Sequence, residues 1–163
     1  MRTEVPVKSS LRRRLVGLGL AAIWIALDQL TKSWAQSALA SGPKFLFGHV
    51  GFELIYNSGI AFGIASGSSG LITLFGLAVS VVIAVALMRT RHWGTTIGAA
   101  LVLGGALGNV ADRIFRANNG AVIDFLHSGV WPTFNLADFG VVVGLAIVII
   151  FSSKGEKSRA NPA

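Results

Sequence analysis

Residues 134–150 read FNLADFGVVVGLAIVII, an apolar run long enough to enter a membrane that begins with two polar side chains. Asn135 and Asp138 are three positions apart, so they would share one face of a helix. The helix dipole favours an Asp in the first turn, which is one sufficient reason for its presence. A carboxylate at a membrane boundary is nevertheless costly unless it faces a polar interior, so the run also indicates a functional site.

Three further apolar segments accompany this run. The chain is 53% hydrophobic and 13% charged, with a mean hydropathy of +0.67, a composition typical of membrane proteins. We predict a single domain over residues 1–163, with a disordered tail at about 154–163. The predicted transmembrane helices span about 13–35, 69–88, 94–112 and 134–153.

The 14 Lys and Arg residues are distributed unevenly around these segments. Ten of them precede the first span, separate the second span from the third, or follow the fourth. The positive-inside rule therefore predicts that both termini and the turn at 89–93 are cytoplasmic. The arginine-rich start also resembles a secretory signal with a cleavage site at the ALA of 38–40, although the polar DQLTK interrupts that pattern.

The segment at 45–62, FLFGHVGFELIYNSGIAF, differs from the spans. Its aromatic and β-branched residues alternate with glycine, and NSG is a turn signal. We predict a small β-platform on the outer surface at about 42–64. Residues 113–133 are predicted to form an outer connection, because NNG and WP interrupt any regular pattern.

Two motifs at the outer ends of helices carry polar groups. In GGALGNVADR, Asn109, Asp112 and Arg113 fall on one helix face. The alternative interpretation is a small-residue packing seam that ends in an Asp–Arg pair. In DQLTK, Asp28 and Lys32 can pair across one helical turn, either to support a site or as a helix end whose lysine extends to the interface.

Asp124 lies in VIDF, an apolar stretch that is not typical of a solvated loop. If Asp124 and Asp138 meet in a site of low dielectric constant, they would titrate as a unit, with one acting as general base and the other as proton donor. The chain has no cysteine and no G-x-S-x-G motif, and no serine is specifically placed beside Lys32. The three histidines, His49, His92 and His127, lack metal-ligand spacing, so no metal or organic cofactor is expected.

Five motifs together resemble one family. They are DQLTK at 28–32, YNSGIAFG at 56–63, GGALGNVADR at 104–113, VIDF at 122–125 and FNLAD at 134–138. In this order, with four spans, the chain resembles the bacterial lipoprotein signal peptidase family, signal peptidase II, over about residues 13–153. The connection IFRANNGAV before VIDF is longer than is usual in that family, which affects the placement of a short outer helix.

The resemblance implies an all-α membrane protein of four transmembrane helices, with a small extracytoplasmic β-cradle and a short extracytoplasmic helix. It implies an intramembrane aspartic endopeptidase that removes the signal peptide from diacylglyceryl-modified prolipoproteins, cutting just before the lipidated cysteine. The implied location is the bacterial inner membrane, with the active site near its outer face. Prolipoproteins and membrane lipids are the implied partners, nucleic acid is not, and we expect a monomer.

The resemblance also implies roles for individual residues. Asp124 and Asp138 correspond to the catalytic pair. The residues that line the site, hold substrate or support activity are Asn57, Asn109, Arg113, Asn135, Asp28 and Lys32. Two rival functions are a small proton-coupled transporter, which would place ionisable groups near the midplane, and a non-catalytic scaffold, which would tolerate Asp-to-Asn changes.

Overall fold

A computed structural model describes residues 7–59 and 69–160, and side-chain surroundings for 10–59 and 69–152. These residues form four long helices and three strands. In chain order they are α1 (Val7–Ala38), β1 (Lys44–Phe47), β2 (Val50–Asn57), α2 (Ser69–Arg89), α3 (Trp93–Phe115), β3 (Val122–His127) and α4 (Leu136–Ala160).

The helices fall where the apolar segments predicted them. Three of them, α1, α2 and α3, are long and apolar enough to cross a membrane. The apolar part of α4 is shorter and covers Leu136–Ser152. Large apolar side chains are exposed along α2, including Leu71, Phe75 and Val82, as expected for a helix whose outer face contacts lipid.

The central helix is α3, which packs against each of the other three helices. Its buried face is built largely from small residues, among them Gly98. A Cβ atom added to Gly98 would lie 2.7 Å from the backbone oxygen of Gly144 on α4, and the reverse substitution would bring a Cβ within 2.6 Å of the Gly98 oxygen. Glycine at both positions therefore allows the two backbones to approach closely, as small residues do in membrane helix pairs.

The three strands form an antiparallel sheet in the order β1–β2–β3. Ile55 of β2 pairs with Asp124 of β3, and Asn57 pairs with Val122. One face of the sheet packs on the C-terminal end of α1, where Phe125 and Leu39 are buried together. The sheet is thereby fixed to the same end of α1 that carries the DQLTK motif.

The predicted β-platform is confirmed for the residues of β1 and β2, while 60–64 lie outside the described residues. The third strand was not predicted, since the 113–133 segment was interpreted as an irregular connection. The turn signal within that segment is confirmed, because Asn119 and Gly120 both adopt positive φ, 55° and 72°. Strand β3 follows this turn directly.

Two expectations need correction. The described residues contain no short outer helix besides the four long ones. The tail was expected to be disordered from about 154, but α4 continues to Ala160. Lys, Glu and Arg residues beyond the apolar part sustain a helix well, and the first proline after it is Pro162.

Candidate active site

Strand β3 carries the first candidate carboxylate. Asp124 is 2% exposed, and each of its oxygens accepts one hydrogen bond from an amide side chain. Asn57 Nδ2 donates to Oδ2 over 3.0 Å, and Asn135 Nδ2 donates to Oδ1 over 2.7 Å. Asn57 reaches Asp124 diagonally across the sheet, because Ile55, two residues earlier, is the residue paired with Asp124.

The second candidate carboxylate lies in the first turn of α4. Asn135 precedes this helix, and its Oδ1 accepts the backbone N–H of Asp138 at 2.9 Å. In return, Asp138 Oδ2 accepts the backbone N–H of Asn135 at 3.2 Å. This reciprocal capping satisfies two N–H groups that have no partner inside the helix. It also fixes the Asp138 side chain beside the residue that contacts Asp124.

A third asparagine connects this pair to α3. Asn109 Nδ2 donates to Asp138 Oδ1 over 2.8 Å. Its own oxygen accepts from Asn135 Nδ2 at 3.1 Å and from the Lys32 ammonium at 2.9 Å. The two carboxylates are thus linked through one continuous set of amide hydrogen bonds.

Both carboxylates line a cavity of about 500 Å³. One part of its wall is polar, with Asn57, Asn109 and Arg113 beside the carboxylates. The rest is apolar and comes mainly from the three helices α2, α3 and α4. That apolar wall includes Ile72, Phe75, Val79, Ala106, Val110, Val141 and Val142.

Arg113 lines the cavity but contacts neither carboxylate by a hydrogen bond within the described residues. Its two terminal nitrogens donate to backbone oxygens, one to Gly59 at 2.7 Å and one to Gly120 at 2.8 Å. It therefore joins the end of the β2 segment to the turn before β3. Arg113 thus holds two loop segments together at the cavity wall, and its expected role in lining the site or holding substrate stays a prediction.

The site makes Asp124 easier to protonate than an ordinary aspartate. Burial raises the pKa of Asp124 to about 6, and the negative charge of Asp138 adds to this rise. The hydrogen bonds from Asn57 and Asn135 act in the opposite direction, because they stabilise the ionised form. An arrangement of this kind can hold one proton between two carboxyl groups near neutral pH.

Asp28 and Lys32 lie behind this site and form the predicted pair, with 2.8 Å between Nζ and Oδ2. Sequence analysis placed Asp112 on a helix face with Asn109 and Arg113, or in an Asp–Arg pair, but did not predict its contact with Lys32. Asp112 contacts Lys32 at 2.9 Å and Arg116 at 3.1 Å. The spacing of Asp112 and Arg116, one helical turn apart, was the signal that could have identified the contact with Arg116.

The fold matches two solved structures of bacterial membrane enzymes. The first, described as "Bacterial membrane enzyme structure by the in meso method at 2.3 A resolution", aligns with a TM-score of 0.76 and 21% identity, over 100% of this chain and 98% of that one. The second, solved by the same method at 1.9 Å, gives a TM-score of 0.65 and 22% identity, over 92% and 96%. The chain therefore has the fold of a bacterial membrane enzyme.

Sequence comparison defines the family. The model of the family described as signal peptidase (SPase) II matches residues 20–154. A protein named lipoprotein signal peptidase from Rhodococcus jostii is 41% identical over 153 residues, covering 88% of this chain and 75% of that protein. Its namesake from Mycobacterium leprae is 40% identical over 152 residues, covering 88% and 74%. The chain belongs to the signal peptidase II family, a family of proteases, and the predicted resemblance is confirmed.

Proposed function

We propose that this protein cleaves the signal peptide from lipoprotein precursors by aspartic-protease chemistry. The family and the names of the relatives support the substrate class. The observation that carries the mechanism is the hydrogen bonding of Asn135, whose side-chain NH₂ donates to the Asp124 carboxylate and whose backbone N–H donates to the Asp138 carboxylate, on the wall of one cavity. This arrangement supports Asp124 and Asp138 as the catalytic pair.

The two carboxyl groups take different roles in this proposal. Burial and the neighbouring charge favour a proton on Asp124, so we assign this residue as the acid that protonates the scissile carbonyl oxygen. Asp138 is then the ionised base that removes a proton from the attacking water. As the C–N bond of the tetrahedral diol breaks, Asp138 gives its proton to the leaving amine and Asp124 takes a proton back from a diol hydroxyl, which returns the pair to its starting state.

The apolar part of the cavity supports a lipid-modified substrate. Its wall is formed by side chains of α2, α3 and α4, such as Phe75, Val79 and Val142, next to the polar end that holds the carboxylates. A peptide joined to a diacylglyceryl group needs both surfaces, an apolar one for acyl chains and a polar one at the scissile bond. We propose that the cut falls just before the lipidated cysteine.

The membrane arrangement is part of the same proposal. We propose that α4 is the fourth span, that both termini are cytoplasmic, and that the active site lies near the outer face of the inner membrane. The excess of Lys and Arg at the termini and at 89–93 supports this orientation. We also propose that the protein acts as a monomer.

The test is cleavage of a synthetic prolipoprotein peptide by purified protein in detergent. Wild type, Asp124→Asn and Asp138→Asn would each be given the lipidated and the unlipidated peptide. We expect wild type to cut only the lipidated peptide, at the bond before the cysteine, and both variants to lose at least about 1,000-fold in kcat because each lacks one half of the acid–base pair.

Glu53→Gln is the matched control. Glu53 is a carboxylate of the same sheet, but it does not line the cavity and contacts His127 instead. This variant should retain wild-type cleavage. Full activity of a folded Asp124→Asn or Asp138→Asn variant would contradict the aspartic mechanism. Equal cleavage of the unlipidated peptide would contradict the proposed substrate class.

A further inference from the structure

A buried ionic triad lies directly behind the catalytic pair. The Lys32 ammonium stands between Asp28 and Asp112, 2.8 Å from the first carboxylate and 2.9 Å from the second. All three side chains are completely buried. Stabilisation alone explains such a group poorly, because buried ion pairs often contribute no more than apolar side chains of similar volume.

The remaining contacts of the two carboxylates show what the triad holds. Asp28 Oδ1 accepts the backbone N–H of Ala137 at 2.9 Å. Asp112 Oδ2 accepts the backbone N–H of Ile123 at 3.0 Å. Each of these N–H groups belongs to the residue immediately before one of the proposed catalytic aspartates. The first lies in the opening turn of α4 and the second lies in β3.

We propose that Asp28, Lys32 and Asp112 are positioning residues that set the relative placement of the catalytic pair. Each carboxylate holds the backbone next to one catalytic aspartate, and Lys32 holds the two carboxylates together. The triad therefore connects a helix and a strand that are distant in sequence. This inference rests on the proposed function, because it assumes that the pair performs the reaction.

Lys32 also fixes the direction of an amide that contacts the pair. A lysine side chain offers only donors, so the group facing its ammonium at 2.9 Å must be the oxygen of Asn109. The Asn109 NH₂ group is then directed at Asp138 Oδ1, 2.8 Å away. A neutral residue in place of Lys32 would leave Asn135 Nδ2, at 3.1 Å, as the remaining donor to this oxygen and so weaken the control over the direction of the amide.

The surroundings of the triad complete its charge balance. Two carboxylates and one ammonium leave one negative charge, and Arg116 supplies a positive charge 3.1 Å from Asp112 Oδ1. Gln29 donates to the same oxygen at 2.7 Å. Both carboxylate oxygens of Asp112 therefore have partners, and these contacts fix the orientation of the carboxylate.

The first experiment measures kcat and KM separately for Asp28→Asn and Asp112→Asn, with the lipidated peptide as substrate. Asparagine preserves volume but offers one acceptor where the carboxylate has two. We expect kcat to fall about 10- to 100-fold, because small displacements of reacting groups are costly, and KM to stay within about 2-fold. Thr31→Val is the matched control, since the Thr31 hydroxyl contacts only carbonyl groups of its own helix.

The second experiment measures amide hydrogen exchange of Ala137 and Ile123. In wild type both should exchange slowly, although N–H groups of a first helical turn ordinarily have no partner within the helix. Asp28→Asn should release Ala137 alone, and Asp112→Asn should release Ile123 alone. A role limited to overall stability would change both amides together or neither.

The outcomes separate this inference from the proposed function. If Asp124→Asn and Asp138→Asn retain activity, the catalytic assignment fails. If those variants are inactive but folded Asp28→Asn and Asp112→Asn keep kcat within about 2-fold of wild type, the positioning role is overturned. Should neither triad variant fold, rapid exchange of Ala137 and Ile123 in the wild-type protein would overturn it, and slow exchange of both would support it.

Discussion

Three asparagines determine how the proposed catalytic carboxylates are oriented. The oxygens of these three amides each accept from a group that is not a carboxylate: Asn57 from the Gly59 N–H, Asn109 from the Lys32 ammonium, and Asn135 from the Asp138 backbone N–H. Their NH₂ groups are therefore left to face Asp124 and Asp138. If one of these amides reversed, its oxygen would face a carboxylate and repel the ionised form. The contacts to the three amide oxygens therefore keep the NH₂ groups directed at the carboxylates.

The pKa of Asp124 leads to a prediction for pH dependence. With a pKa of about 6, Asp124 loses its proton as the pH rises through that value, and the proposed acid is lost. We expect kcat/KM to fall on the alkaline side with a midpoint near pH 6. Because the Asn57 hydrogen bond stabilises the ionised form, Asn57→Leu should move this midpoint to higher pH.

The measurement is a profile of kcat/KM between pH 4.5 and 9, in about half-unit steps, for wild type and Asn57→Leu. Glu53→Gln, on the same strand, serves as the control and should leave the midpoint unchanged. A midpoint that moves to lower pH in Asn57→Leu would contradict the sign of the assigned hydrogen bond. A profile flat through pH 6 in wild type would contradict Asp124 as the proton donor.

At the scale of elements, the close crossing of α3 and α4 controls the site. Helix α3 carries Asn109 and α4 carries Asp138. The distance between the two helices therefore determines whether these two side chains can form their hydrogen bond. A Cβ at Gly98 would lie 2.7 Å from a backbone oxygen and 2.8 Å from a side-chain methyl group of Val148 on α4. Neither distance can be accommodated without moving the helices apart.

We therefore expect Gly98→Ala to destabilise the protein by about 1–3 kcal/mol and to lower kcat. Gly19→Ala is the matched control, because a Cβ there meets no atom within 4 Å. Thermal unfolding in detergent and cleavage of the lipidated peptide would be measured for both variants. Wild-type stability of Gly98→Ala would show that the helices are not packed as closely as described.

The helices and strands also differ in how well they could be predicted from the sequence. Hydropathy located the helices, since each needs only its own residues to satisfy its backbone. Strand β3 was missed because its partner, β2, is more than sixty residues away, and such pairing leaves no local period. The contact between Asp112 and Lys32 was missed for the same reason, because the two residues belong to different helices that are distant in sequence. Asp124 and Asp138 were predicted from the sequence as a pair, and the structure places both on the wall of one cavity.

At the scale of the whole molecule, the exposed apolar surface extends beyond the helices. Phe47 at the end of β1 is 81% exposed, and Val130 in the loop after β3 is 94% exposed. Isolated exposed apolar residues are common on proteins. Phe47 and Val130, however, belong to the sheet and to the loop that follows it, in a protein whose helices also expose large apolar side chains. The polar end of the cavity is lined by residues of β2 and β3, Asn57 and Asp124, together with Asn109 and Arg113 of α3 and Asp138 of α4.

The orientation of the molecule can be tested directly because the chain contains no cysteine. Ala117, in the turn before β3, and His92, in the turn before α3, are both exposed and stand at opposite ends of α3. We expect a membrane-impermeant maleimide to label Ala117→Cys in intact spheroplasts. His92→Cys should be labelled only after the membrane is permeabilised, because the basic residues around 89–93 favour the cytoplasmic side.

Wild type, which lacks a thiol, controls for labelling of other proteins, and both variants should be labelled fully after detergent solubilisation. Cleavage activity of each variant would verify that the introduced cysteine has not altered the fold. Labelling of His92→Cys in intact spheroplasts, with Ala117→Cys protected, would reverse the proposed orientation. It would place the carboxylate pair at the cytoplasmic face, where a precursor whose lipidated cysteine lies at the outer surface could not reach it.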